Sequence, residues 1–308
     1  MRAAWPEFDA TRDSPTIATL HLVSQLLGKL RVAHAPWVNH GWGVTLHPVA
    51  SGLITDLTAA ADGRSFTLSL DLCEHFIGLR VSDGATDRIA LTDGLTIADL
   101  HREFVLMLDR HGLPSSFHGT PNEVSDALPF AADHAPRAYD RTSAERLRDM
   151  LALITPIFEK FRAGFLGKAS PVHFFWGSFD LAVTRFSGRA APQHPGGVPG
   201  LPDRVTREAY SHEVSSAGFW PGNAAMPAPP TFYSYAYPEP ANFSGAAVDP
   251  VGAEFNAELG EFVLPYAAVA TAADPEATLT AFLQSTYDVA ADLAHWDRAA
   301  LERLPVAP

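Results

Sequence analysis

Residues 65–73 read Ser-Phe-Thr-Leu-Ser-Leu-Asp-Leu-Cys, and this strict alternation dictates an extended chain. Side chains two apart in a strand share a face, so Phe66, Leu68, Leu70 and Leu72 point one way and Thr67, Ser69 and Asp71 the other. Such a strand needs a sheet with one buried and one polar face, the signature of antiparallel pairing. Strand-like runs at 42–49, 76–81 and 88–91 join it, with Asp83-Gly84 as the turn between the last two. Ahead of them, Ser14-Pro15 reads as an N-cap followed by proline at the first helical position. Ile17, Leu20, Val23, Leu26, Leu27 and Leu30 then recur at helical spacing. A second helix is expected from Thr96, which can cap it, to Gly112.

The rest of the chain repeats this plan. A helix over 143–165 leads to strands at 173–186, 209–216, 231–237 and 261–264, then to a helix over 274–294 and a short one over 296–304. Three short matches suggest a common origin. Leu27-Gly28-Lys29 and Leu166-Gly167-Lys168 are placed at the ends of the long helices. Trp42-Gly43 and Trp176-Gly177 open strands that run on to Ser51-Gly52 and Ser187-Gly188. The expected fold is therefore α+β, with two similar helix–four-strand–helix halves, 1–135 and 136–308, carrying antiparallel sheets in one integrated unit. An internal pseudo-twofold duplication would place the functional site in the cleft between them.

Composition narrows the class. Hydrophobic residues make up 47% of 308 and charged residues 19%, enough for a sizeable core. A net charge of −13, from 35 acidic against 22 basic residues, argues against nucleic acid as partner. The single cysteine, Cys73, leaves no disulfide and no cysteine zinc knuckle. The N-terminus is too polar for a signal peptide and no stretch reaches the length of a membrane span, so a cytoplasmic setting is expected, with no membrane partner. Nucleotide, catalytic-serine and metal fingerprints are missing from the sequence, so no cofactor is expected.

The chemistry-bearing residues concentrate between His173 and Tyr266. If 173–186 is one strand, Trp176, Ser178, Asp180, Ala182 and Thr184 share a face that could line a pocket. His173, Phe175, Phe179 and Arg185 take the other. The same pattern suits a buried central strand whose Asp180 pairs with an arginine. In the next strand Tyr210 and His212 lie on one side and Glu213 on the other. The run Gly218-Phe-Trp-Pro-Gly222 looks like a rigid loop presenting Trp220. Tyr233, Tyr235 and Tyr237 alternate onto one face, which antiparallel pairing would set beside Tyr210 and His212. His40, next to Trp42, is the best placed of the N-terminal histidines.

The runs 173–189, 210–213, 218–222 and 233–240, with Thr-Leu-His (19–21), Gly-Lys (28–29), Asn-His (39–40) and Phe-Val-Leu-Pro-Tyr (262–266), resemble the hallmarks of an uncharacterised bacterial domain-of-unknown-function family, 5996. The resemblance spans nearly the whole chain and implies one family unit rather than a composite of known modules. It carries no activity with it.

The residues point to a small-molecule enzyme using acid–base chemistry in an aromatic-lined cleft. Trp176, Trp220, Tyr233 and Tyr235 would wall it, with Tyr210, His173 and His40 also in contact with the ligand. His212 would be the general acid or base, Asp180 or Glu213 its partner, and Arg185 an anchor for an anionic group. Two rivals stand beside this: a non-catalytic ligand sensor or homo-oligomeric scaffold, and a metalloprotein assembling His173, His212 and a carboxylate.

Overall fold

The computed structural model describes residues 4–124, 126–223 and 228–303. The chain is α+β, and its sheet is antiparallel throughout. Helix α1 (Ala10–His34) leads to strands β1 (Leu46–Val49), β2 (Gly52–Thr55), β3 (Thr58–Ala59), β4 (Ser65–Asp71), β5 (Phe76–Val81) and β6 (Thr86–Ala90), then helix α2 (Ile97–Arg110). Helix α3 (Arg141–Ala163) leads to β7 (His173–Phe175), β8 (Asp180–Ala190), the short helix α4 (Asp203–Ala209), β9 (His212–Trp220), β10 (Thr231–Tyr237), β11 (Glu254–Asn256) and β12 (Glu261–Pro265). Helices α5 (Tyr266–Ala270), α6 (Pro275–Leu293) and α7 (Arg298–Leu301) close the chain.

All the strands form one sheet in the order β11-β12-β10-β9-β8-β7-β1-β2-β4-β5-β6, with β3 alongside β4. The two meanders join where β1 meets β7, Leu46 opposite Phe174. The face carrying Leu46, Leu53, Phe66, Leu68, Leu70, Phe174, Leu181, Val183, Phe219 and Phe232 is buried beneath α1, α3 and α6, which lie on β1–β3 and β8–β10. The alternation at 65–71 is kept residue for residue, its apolar members at or below 1% exposure. The opposite face is covered in part by the segments around residues 123 and 191–202, and it holds most of the polar chemistry.

Several expectations change. Helix α1 starts at Ala10 with Asp9 accepting from the Arg12 amide, so Pro15 is inside it rather than at its first position. Gly28 lies within α1 and does not end it; Trp176 packs flat there, and a Cβ on Gly28 would stand 2.0 Å from the indole ring. Gly28→Ala is therefore expected to destabilise the protein by about 1–3 kcal/mol, despite alanine's better helix propensity. Equilibrium unfolding checks this; a gain in stability would contradict the packing. Trp42-Gly43 falls in a 3-10 turn before β1, and Trp176-Gly177 falls after β7, so these two pairs are not equivalent in place. Among the described residues each half contributes six strands rather than four: β2, β3 and β11 are short additions, and 173–186 divides into β7 and β8.

The largest correction concerns 173–186. It is a hairpin, because Phe179 turns into the left-handed region (φ 63°) and its amide bonds back to the Phe175 carbonyl at 2.7 Å. The turn resets the alternation. His173 opposes Ala182 and Phe175 opposes Asp180, so His173 shares the Asp180 face and Arg185 takes the other. Likewise Gly218, Phe219 and Trp220 are strand residues of β9, not a turn.

Candidate functional site

On the open face, β8, β9, β10 and β12 lie side by side, and register alone gathers the key residues. Tyr233 opposes Gly218, Tyr235 opposes Ser216 and Tyr237 opposes Val214, while Ala182 and Thr184 of β8 oppose Gly218 and Ser216. Gly218 leaves room for Tyr233 to lie across the sheet; a Cβ there would stand 2.2 Å from its ring. The Tyr233 hydroxyl thereby reaches Asp180 and donates to one carboxylate oxygen, while the Ser178 hydroxyl donates to the other. Asp180 is only 6% exposed, and no cation pairs with it among the described residues. Burial drives its pKa up, against the two hydroxyl hydrogen bonds that lower it.

Two more carboxyls complete the cluster. Glu123 comes from the long connection between α2 and α3, and Glu261 opens β12. Burial, followed by the negative charge of Asp180, pushes each up to about 7. Glu123 is held from both sides: a Cβ on Gly177 would meet its carboxylate at 2.1 Å, and one on Gly200 would meet its Cα at 2.7 Å. The neighbouring Asn122 is fixed from α1, where Gln25 Oε1 accepts from its amide at 3.0 Å and Lys29 Nζ donates to its Oδ1 at 2.6 Å. In the same stripe His21 Nε2 lies 2.8 Å from the Gly177 carbonyl, and burial drops this histidine to about 4, leaving it neutral. The buried polar row His21–Gln25–Lys29 thus serves the site by positioning the two loops that meet at Glu123.

Beside the carboxyls stands a group of tyrosines. Tyr210 caps α4 rather than extending β9, and its hydroxyl donates to that of Tyr235 at 3.0 Å. Tyr233 and Tyr235 stack with ring centroids 6.2 Å apart, and His194 stacks on Tyr210 at 4.8 Å. Tyr237 donates to the Pro192 carbonyl at 3.0 Å, tying the proline-rich segment over this surface. Burial raises the phenolic pKa values of Tyr210, Tyr233 and Tyr235, so all three are neutral donors at pH 7. Trp220 reaches the same face one position beyond the Leu181–Phe219 pair, beside Asp180.

Other expected members are placed elsewhere. His212 pairs in register with Ala190, about 30 Å along β8 from Asp180 at the rise of an extended strand, so the two do not act together. Glu213 is held by Arg189 at 2.7 Å and by Ser187 at 2.8 Å and does not touch His212. Arg185 is 2% exposed on the helix-facing side, its guanidinium 3.5 Å from the centroid of Phe161 and bonded to the Phe161 carbonyl. It cannot anchor a ligand on the open face. Trp176 is buried, donating to the Val44 carbonyl at 2.8 Å. His173 is fully buried, its Nδ1 2.7 Å from the Pro171 carbonyl, and burial lowers it to about 4. His40 and His212, by contrast, are neighbours, with ring centroids 6.4 Å apart.

Among the described residues, no three His, Cys, Asp or Glu side chains converge at metal-binding spacing, so His173 and His212 do not meet a carboxylate as the metal arrangement requires. None of the described helices is long and apolar enough to cross a membrane. A cavity of about 170 Å³ lies between β9, β10 and the end of α6, lined by Val214, Tyr237, Leu293 and Trp296, and not over the carboxyls. Glu123, Glu261 and Lys168 escape sequence reasoning because their environment is set by residues remote in the chain; Glu261, directly before the 262–266 motif, offered the only hint.

The model of a family of unknown function (DUF5996) matches residues 5–303, and the chain belongs to that family. No curated protein and no solved structure matches it.

Proposed function

We propose that the chain is a small-molecule enzyme working by acid–base chemistry at Asp180, Glu123 and Glu261. The observation that carries this is a trio of carboxyls without a cationic partner among the described residues, two of them raised to about 7. A carboxyl near 7 is present as both acid and base at neutral pH, the condition under which proton transfer is most effective. Asp180, fixed by Tyr233 and Ser178, serves as the shared electrostatic centre. Tyr210, Tyr235 and Trp220 supply stacking surfaces and phenolic donors. The negative cluster disfavours anions, so the ligand is an uncharged or cationic molecule with a flat or ring-shaped face.

The test is a screen of uncharged and cationic small molecules, with conversion followed by mass spectrometry. The wild type is expected to convert at least one class, and Asp180→Asn and Glu123→Gln to lower that rate by about 10²–10⁴-fold with circular dichroism unchanged. Conversion that survives in both variants would remove these carboxyls from the mechanism. A non-catalytic binder is favoured by one observation, the closure of the tyrosine surface by residues 191–202. Ligand retained but never converted would support it.

We also propose that the halves 1–135 and 136–308 arose by duplication. Each runs from a long helix through an antiparallel meander to a second helix; their first strands pair with one another, and α1 packs on α3. Superposing α1–α2 on α3–α6 is expected to align β1 with β7. Failure of that alignment would end the proposal.

A further inference from the structure

We propose that Lys168, His40 and His212 form a binding site for the oxyanion group, phosphate or carboxylate, of a small ligand at the seam between the two halves of the chain. The ammonium of Lys168 sits 2.9 Å from His40 Nε2, with its charge 4.7 Å from the ring centroid of Phe186 and 5.3 Å from that of Trp42. No carboxylate pairs with it among the described residues. The protons are assigned by the surroundings. His40 Nδ1 lies 2.9 Å from the Ala209 carbonyl and must donate to it, which leaves Nε2 as the acceptor from Lys168. Burial, then the charges of Lys168 and His212, lower the His40 pKa, consistent with a neutral ring. The positive charge therefore resides on Lys168, an exposed residue whose remaining N–H donors are open to a ligand.

The frame around that charge is strained. His40 is held in the left-handed region at φ 61°, followed by Gly41 at φ 71°, a conformation uncommon for a residue with a side chain. Strain of this kind persists where the surroundings over-determine a residue, and it clusters at functional sites. Here it seats the ring 6% exposed beneath Lys168, against Phe186 at 4.8 Å and Trp42 at 4.9 Å. His212 approaches from β9, its Nδ1 3.1 Å from Ser211 Oγ, and adds an imidazole donor at the rim, while His40 positions Lys168. Glu208, the carboxylate whose charge acts on His40, is already engaged by Trp37 Nε1 at 2.8 Å. Glu213 is engaged by Arg189. The site is distinct from Asp180, which lies roughly 20 Å from Phe186 along an extended β8, and it does not depend on the chemistry proposed there.

Two-dimensional NMR of the histidine rings, recorded while inorganic phosphate or acetate is added at constant ionic strength, tests the proposal. Saturable shifts of the His40 and His212 resonances are expected. Lys168→Met, which keeps the aliphatic contacts with Trp42 and Phe186, should weaken binding roughly tenfold or more. His212→Asn should weaken it as well, with an unchanged circular dichroism spectrum in both variants. Saturation by phosphate alone assigns a phosphoryl group and saturation by both anions a general oxyanion site; either supports the proposal. Shifts that never saturate with either anion, or that persist unchanged in Lys168→Met, would overturn it.

Discussion

Replacing both Glu123 and Glu261 by glutamine is expected to flatten the dependence of stability on pH between about 5 and 8. A carboxyl moved from 4.5 to about 7 on folding favours its protonated form in the native state. Its contribution to stability is full below the unfolded value of 4.5 and is lost as pH rises through about 7. At pH 8 each group costs the fold about 3 kcal/mol relative to pH 4. The wild type should therefore become less stable in denaturant titrations as pH rises from 5 to 8, and the double variant much less so. Equal slopes in the two proteins would mean that neither carboxyl is perturbed.

The second large effect lies where the N-terminus of α1 meets that of α3. Asp13 is 0% exposed and accepts from Arg146 Nη1 at 2.9 Å, Ser143 Oγ at 2.7 Å, Arg12 Nη2 at 2.8 Å and the Asp9 amide at 2.9 Å. Burial alone would raise its pKa, but the hydrogen bonds from Arg12, Asp9 and Ser143 and the charge of Arg146 outweigh it and hold it at about 2. Its stabilisation is present above the usual value of 3.8 and is lost as pH falls through about 2, the opposite sense to Glu123. Asp13→Ala removes the acceptor shared by Arg146, Arg12 and Ser143, although Ser143 keeps Asp140 and the arginines reach solvent, and is expected to cost about 2–3 kcal/mol in equilibrium unfolding. A loss below 1 kcal/mol would show that the pair does little to join the two halves.

How far the sequence led depended on where the deciding information sits. The alternation at Phe66–Leu72, the cap at Thr96 and the tyrosines of β10 are local signals, and the structure keeps all three. The β7–β8 hairpin was illegible because Trp176-Gly177-Ser178-Phe179 alternates as a strand would, and what bends it is tertiary: Trp176 fitting over Gly28 and Glu123 fitting against Gly177. The helix α4 is not legible in the sequence because its 7 residues give too few turns for a period to emerge. Asp180 was readable as a carboxylate among aromatics, and Tyr210 as a neighbour of the tyrosine ladder. Glu123 and Glu261 were not, because burial and proximity to Asp180 set them apart, and neither property is written in their neighbours. In the sequence Lys168 stands out only as part of a short repeat, whereas its setting comes from the strained His40 across the seam.

Glu123 and Glu261 are central to the proposed acid–base chemistry, and carboxyl-detected NMR titration of the side chains reads them directly. Glu123 and Glu261 are expected to titrate near 7 in the wild type, and both are expected to fall only part of the way toward 4.5 in Asp180→Asn, because burial, the larger cause, remains when the charge beside them is removed. Titration of both near 4.5 in the wild type would contradict the account.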